Sequence, residues 1–171
     1  APFSTQEDLI AELDVWRTFC ATNQSPVSHI QNADCAENSL DAMLLAATTC
    51  PFRIGSTRIL VHVTDDTFAE RPAVLSGEWG GGVFVEHTYA EVAEELLADE
   101  IRVGAFAIPG PGEDCGAGSS PDVGRGFHTP FGTMEALPSA TGGRVWDLRE
   151  VRGGTVSMAD SINEMLRAEY C

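Results

Sequence analysis

Apolar residues in this chain follow two rhythms, and the change from one to the other marks out its elements. Arg58-Ile-Leu-Val-His-Val63 sets Ile59, Leu60, Val61 and Val63 in a nearly unbroken run, the pattern of a central parallel strand buried on both faces. The run stops at Thr64, Asp65 and Asp66. Ile101 to Ile108 reads as a second buried strand, with Val103, Ala105 and Ala107 alternating against Gly104 and Phe106. The turn at Thr141-Gly-Gly feeds a last strand through Arg144-Val-Trp-Asp-Leu148.

The helical rhythm lies between and around these strands. Ser4 with Glu7 forms a capping box ahead of Leu9, Leu13, Trp16 and Cys20, which predicts a helix from about Thr5 to Ala21. Leu40, Met43, Leu44 and Ala47 share one face of a second helix, capped by Asp34 or Asn38 and stopped by Pro51. Thr88 caps a third, with Tyr89, Val92, Ala93, Leu96 and Leu97 on its apolar side and Glu91, Glu94, Glu95 and Asp99 toward water. A short helical turn is expected around Thr133 to Leu137, and Val156 to Ala168 predicts a final helix carrying Met158, Ile162, Met165 and Leu166. Ala69 to Val85, with Gly77, Gly80, Gly81 and Gly82, reads as a flexible surface loop without phosphate-loop spacing. Pro109 to Gly126 reads as a long loop. Helix, helix, strand, helix, strand, strand and helix predict one α/β layered domain over residues 1–171, with a mostly parallel sheet.

Two oxygen-rich clusters carry the candidate chemistry. Thr64, Asp65 and Asp66 end a strand where open α/β sheets bind ligands, and hard oxygen groups there suit Mg²⁺ or Ca²⁺. Thr64 and Asp65 could equally cap the following turn. Asn32-x-Asp34-x-x-Glu37 supplies an amide oxygen and two carboxylates just before a helix, a short acidic loop of the kind Ca²⁺ prefers, although such clusters are also common caps. His29, His62, His87 and His128 are scattered, with His62 read as a satisfied core or crevice residue. Asp41 is expected to be solvated. No Gly-x-Ser-x-Gly is present, and Asp66 and His87 are the only obvious bases, so an enzyme is not expected.

Charge narrows the partners. The net charge is −16, and all ten basic residues are Arg because the chain has no Lys. Such a surface repels nucleic acid and anionic membrane and suits a cation. Five cysteines, Cys20, Cys35, Cys50, Cys115 and Cys171, include no Cys-x-x-Cys pair, which argues against zinc and for disulfides in an oxidising compartment, with one thiol left over. The alternative is buried thiols acting as small hydrophobes.

Asn32-x-Asp34-x-x-Glu37-x-x-x-Asp41-Ala42, then Cys50, then Arg58-Ile-Leu-Val-x-Val-Thr-Asp65 resembles the von Willebrand factor A domain, in particular the I-like domain of integrin β subunits. The Ile101 to Ile108 strand and the Thr141-Gly-Gly-Arg-Val-Trp turn fit that family's closing strands, so the likeness runs from about Ser4 to Leu166. It implies a three-layer, Rossmann-like fold with helices on both faces of the sheet. It also implies cation-dependent adhesion: Glu37 stands where the shared metal ligand stands, Asn32 and Asp34 serve an adjacent Ca²⁺ site, and Asp65 approaches the adhesion metal. Thr64 and Asp66 would support that shell. Ala36 replaces the family's Pro, whose role there is carried by a backbone carbonyl. The expected ligand is a protein or polysaccharide with an acidic group, met outside the cell or at its surface, with outer-membrane anchoring one option; the Arg-only composition fits a GC-rich bacterial source.

The family's Asp-x-Ser-x-Ser signature is absent from these 171 residues, and neither Asp114 to Ser119 nor Asp160-Ser161 has its spacing. Two expectations follow. Either this is the C-terminal portion of a domain completed by residues before Ala1 or by a partner chain, or it is a metal-free structural or assembly module of the same fold.

Overall fold

The computed structural model describes residues 36–76, 82–112 and 121–170, together with positions 5, 7, 8, 10, 11, 13–15 and 17. The elements in chain order are β1 (Ala36–Glu37), α1 (Ser39–Thr49), β2 (Arg58–Thr64), β3 (Thr67–Phe68), β4 (Ala73–Ser76) and β5 (Gly82–Val85), then α2 (Tyr89–Ala98), β6 (Ile101–Ala107), α3 (Leu137–Ala140), β7 (Arg144–Asp147), α4 (Leu148–Arg152) and α5 (Met158–Tyr170). The protein is a mixed α/β structure with mostly parallel strands. Within the N-terminal stretch the described positions from 7 to 17 are helical, and Thr5 Oγ1 accepts from the Asp8 N–H at 3.1 Å. Ser4 and Ala21 lie outside the described residues.

The main sheet has the order β2-β6-β7, parallel throughout, with Arg58 opposite Ile101 and Thr64 opposite Ala107. Alternation along the strands sends side chains into two separate clusters. Leu60, Val103, Ala105, Ala107 and Val145 pack against Leu40 and Met43 of α1 and Tyr89, Val92 and Leu96 of α2. On the other side Phe106 stacks on Trp146 at 4.8 Å, beside Leu148 and Val151 of α4 and Met158 and Ile162 of α5. Each fully buried side chain of this size contributes about 1.5–3 kcal/mol, so burial of both faces holds the layers together. Two glycines allow close approaches within the sheet and against α5. A Cβ on Gly104 would meet the Met165 thioether at 2.8 Å, and one on Gly143 would meet the Val103 carbonyl oxygen at 2.0 Å.

Several expectations change. β2 is not buried on both faces: among the described residues it is one of the sheet's two edge strands, and Val61 and Val63 are 39% and 49% exposed, because α4 and α5 cover the sheet over β6 and β7. The loop expected over Ala69 to Val85 contains an antiparallel ribbon, β4 on β5, with Val74 opposite Phe84. The turn expected at Thr133 to Leu137 is a bridge between Phe131 and Met134 followed by α3, begun by Leu137-Pro138. Leu97 is exposed, one position off the buried stripe of Tyr89, Val92 and Leu96. β1, β3 and α4 have no counterpart in the periodicity because each is five residues or shorter.

Thr88 and Glu91 form a reciprocal capping box at the start of α2. Tyr89 is fully buried, and its hydroxyl donates toward the Gly126 and Glu135 carbonyls at 3.0 and 2.8 Å. His128 Nε2 donates to the Ala107 carbonyl at 2.9 Å. Together these bonds pin the 121–137 segment over the C-terminal end of β6. Among the described residues no helix is long and apolar enough to cross a membrane. Cys50 is exposed and unpaired; the other four cysteines, and any disulfides among them, lie outside the described residues.

Candidate functional site

The C-terminal ends of β2 and β1 and the start of α1 enclose a cavity of about 370 Å³, walled by Glu37, Asn38, Ser39, Ala42, His62, Val63, Thr64 and Asp65. Glu37 comes from β1, which pairs in parallel with β3 just beyond Asp66. That pairing brings Glu37 of the first sequence cluster to the strand end that carries the second. Glu37, Thr64 and Asp65 therefore share one wall, whereas Asp66 is outside it, and Asn32 and Asp34 lie outside the described residues.

The strand end is folded by its own side chains. Thr64 is buried, and its hydroxyl accepts from the Asp66 N–H at 3.1 Å and donates to the Asp66 carbonyl at 2.8 Å. Asp66 Oδ1 accepts from the Thr67 N–H at 2.7 Å. Burial raises the Asp66 carboxyl above the ordinary aspartate value; the Thr67 bond opposes this and the neighbouring Asp65 charge adds to it. Thr64 is thus spent on the turn, as the capping alternative had it. Asp65 points outward, about half exposed, and is ion-paired with Arg152 at the end of α4. Arg149 on the same helix donates to the Pro109 and Pro111 carbonyls at 3.3 and 2.7 Å. α4 consequently fastens the loop after β6 beside Asp65.

Asn38 occupies the N-cap position of α1 without capping it through its side chain. Its amide instead bonds to Asp41. A carboxylate only accepts, so Nδ2 faces Asp41 and Oδ1 is the end left over. That oxygen is sealed from solvent with no hydrogen-bond partner among the described residues. The same holds for His62 Nε2. The His62 ring stacks on Phe127 at 5.1 Å, and burial pulls its pKa down to about 4, which leaves it neutral at pH 7. His62 is therefore a crevice residue, but not a satisfied one.

Asp41 is a hub rather than a solvated surface acid. It accepts from the Glu86 N–H at 3.0 Å, from the His87 N–H at 3.0 Å and meets His87 Nδ1 at 2.8 Å. Burial raises its carboxyl, but the bonds from Glu86, the His87 ring, Asn38 and the His87 N–H together hold it below the ordinary value. Nothing in the local sequence signals this clasp, which joins residues on opposite sides of the β4–β5 ribbon. Asn38 was legible only as a cap.

A larger cavity of about 680 Å³ opens at the opposite end of the strands, among Gly55 to Arg58, Leu96 to Arg102 and Thr141. Arg58 there is paired with Asp99. None of the candidate residues borders it, and the smaller cavity holds the chemistry. Its donor set consists of the Glu37 and Asp65 carboxylates, the Asn38 amide oxygen and the His62 imidazole. Among the described residues no three His, Cys, Asp or Glu side chains are close enough to hold a metal ion together. Comparison of the chain with protein-family models, with curated proteins and with solved structures finds no match.

Proposed function

We propose that this chain is a von Willebrand factor A-like module of three layers that binds a ligand at the cell surface or outside the cell through a divalent cation. The observation that supports it is the convergence of Glu37 with Thr64 and Asp65 on one cavity at the C-terminal ends of parallel strands. Two carboxylates and an amide oxygen are the kind of donor that Mg²⁺ and Ca²⁺ take. Glu37 and Asp65 would hold the ion, with Asn32 and Asp34 at a neighbouring Ca²⁺ site. When bound, the ion supplies a coordination position for an acidic group of a protein or polysaccharide ligand. The chain's own part is to aim Asp65 through the Thr64–Asp66 turn and to release it from Arg152. Further ligands would come from a partner chain.

Isothermal titration with MgCl₂ and with CaCl₂ tests the reading. Saturable binding, lost in Glu37→Gln and in Asp65→Asn, is the expected result; no heat with either ion, or unchanged affinity in Glu37→Gln, overturns it. The second reading is a metal-free assembly module, and the Arg152–Asp65 ion pair favours it, because a guanidinium already neutralises the carboxylate the metal needs. That reading predicts partner assembly that survives EDTA.

A further inference from the structure

The two edges of the main sheet are built differently. β7 is four residues long with Arg144 and Asp147 at its ends, and a short charged edge resists pairing with another chain. β2 lacks these guards. It keeps seven residues in unbroken register with β6, without proline or bulge, and after Arg58 it carries no charged side chain. Among the described residues no other strand or backbone bridge meets its outer side. The cavity walled by His62, Val63 and Thr64 has no residue of β6 on its wall, so it opens beside that outer side. Such an edge offers a row of backbone donors and acceptors to a further strand. Its uncovered face adds Val61 and Val63, 39% and 49% exposed, with half-buried Ile59 alternating onto the same side.

Symmetry and charge select the occupant. Two copies joined edge to edge about a two-fold axis normal to the sheet run antiparallel, and residues that face each other lie on the same side. With Val61 opposite Val61, Ile59 of each copy faces Val63 of the other; the neighbouring registers set Val63 against Thr57 or Ile59 against Asp65. Only the first pairs the apolar positions with one another, each such pair adding about 0.2–1 kcal/mol. The charges at the strand ends match as well. Arg53, before β2, is exposed and has no carboxylate partner among the described residues. Asp66, after β2, has the Thr67 N–H and the Asp65 charge beside it but no cation. Antiparallel pairing brings Arg53 of each copy toward Asp66 of the other, whereas parallel pairing would set the two Asp65-Asp66 ends side by side. The net charge of −16 repels at long range, but physiological salt screens it beyond about 8 Å.

We propose that the chain forms a two-fold dimer in which the β2 edges of two copies pair antiparallel about Val61, joining the two main sheets into one. The dimer goes beyond the cation reading and needs no metal.

Sedimentation velocity in EDTA at physiological salt, from about 1 to about 100 µM protein, should give one monomer–dimer equilibrium that shifts with concentration. Val61→Lys and Val61→Glu each set like charges directly opposite one another and should weaken the dimer at least tenfold. Their circular dichroism should match wild type, since Val61 is already partly in water. An equimolar mixture of the two variants should recover the dimer, because the introduced lysine of one copy then faces the introduced glutamate of the other. Arg53→Glu should weaken the wild-type dimer about threefold or more, and it decides alone if the Val61 variants fail to fold. A monomer throughout the range, a mass that grows past the dimer, undiminished dimerisation in the folded variants, or a mixture that stays monomeric overturns the proposal. A dimer without Mg²⁺ or Ca²⁺ binding upholds this inference and removes the cation reading; metal binding by a monomer removes this inference alone.

Discussion

Asp41 near the start of α1 and His87 just before α2 meet at 2.8 Å, and the same carboxylate takes the backbone N–H groups of Glu86 and His87. One side chain thus fixes the relative placement of two helices that pack on the same face of the sheet. Asp41→Ala strands two N–H groups and a ring nitrogen, and should lower stability by about 2–3 kcal/mol in urea unfolding. The pH dependence has a definite sign. A folded-state pKa below the ordinary aspartate value of 3.8 gives stability that is present above pH 3.8 and lost as pH falls through the folded value. The gap between wild type and Asp41→Asn should therefore be constant near neutrality and narrow below pH 3.8.

His62 acts in a different window. Its neutral form is favoured by burial, with a pKa of about 4 in the folded chain against 6.5 when exposed. Between those values the unfolded chain binds the extra proton, so stability is complete above pH 6.5 and falls toward pH 4, by about 3 kcal/mol in all. Urea titrations across that range should show a slope approaching one proton in wild type and none from this site in His62→Phe. Equal slopes would mean that the ring titrates normally.

Gly104 and Gly143 separate a yielding contact from an unyielding one. At Gly104 the obstacle is the end of the flexible Met165 side chain, so Gly104→Ala should cost about 1 kcal/mol or less after repacking. At Gly143 it is the Val103 backbone, which is held in the sheet, so Gly143→Ala should cost about 3 kcal/mol or more. Thermal unfolding of the two variants checks the ranking.

Arg152 competes for Asp65. The pair is half exposed, and such pairs are worth about 0.2–1 kcal/mol. Arg152→Ala should tighten Mg²⁺ or Ca²⁺ binding about two- to fivefold in calorimetry. No change, alongside measurable binding in wild type, would mean that Asp65 does not hold the ion.

The long elements were legible because their patterns are long: the apolar run ending at Thr64, the stripe of Tyr89, Val92 and Leu96, and the Thr88–Glu91 cap each satisfy a local rule. The edge position of β2 was not, because an apolar strand looks the same whether or not a neighbour covers it. The β4–β5 ribbon was hidden by glycines that read as loop. At the cavity, chain order suggested that the Glu37 and Asp65 clusters could meet, but the two-residue β1–β3 pairing that joins them leaves no periodic trace. Arg152 on Asp65, 87 residues along the chain, and the unpaired atoms of Asn38 and His62 are properties of packing alone.

Three arginines clip onto backbone carbonyls: Arg58 on Asp99, Arg71 on Glu86, and Arg149 on Pro109 and Pro111. Tyr89, pushed up to about 12 by burial, keeps its proton through moderate alkali. Asp41 and His62 answer instead to acid, so the fastenings they make are lopsided in their response to protons.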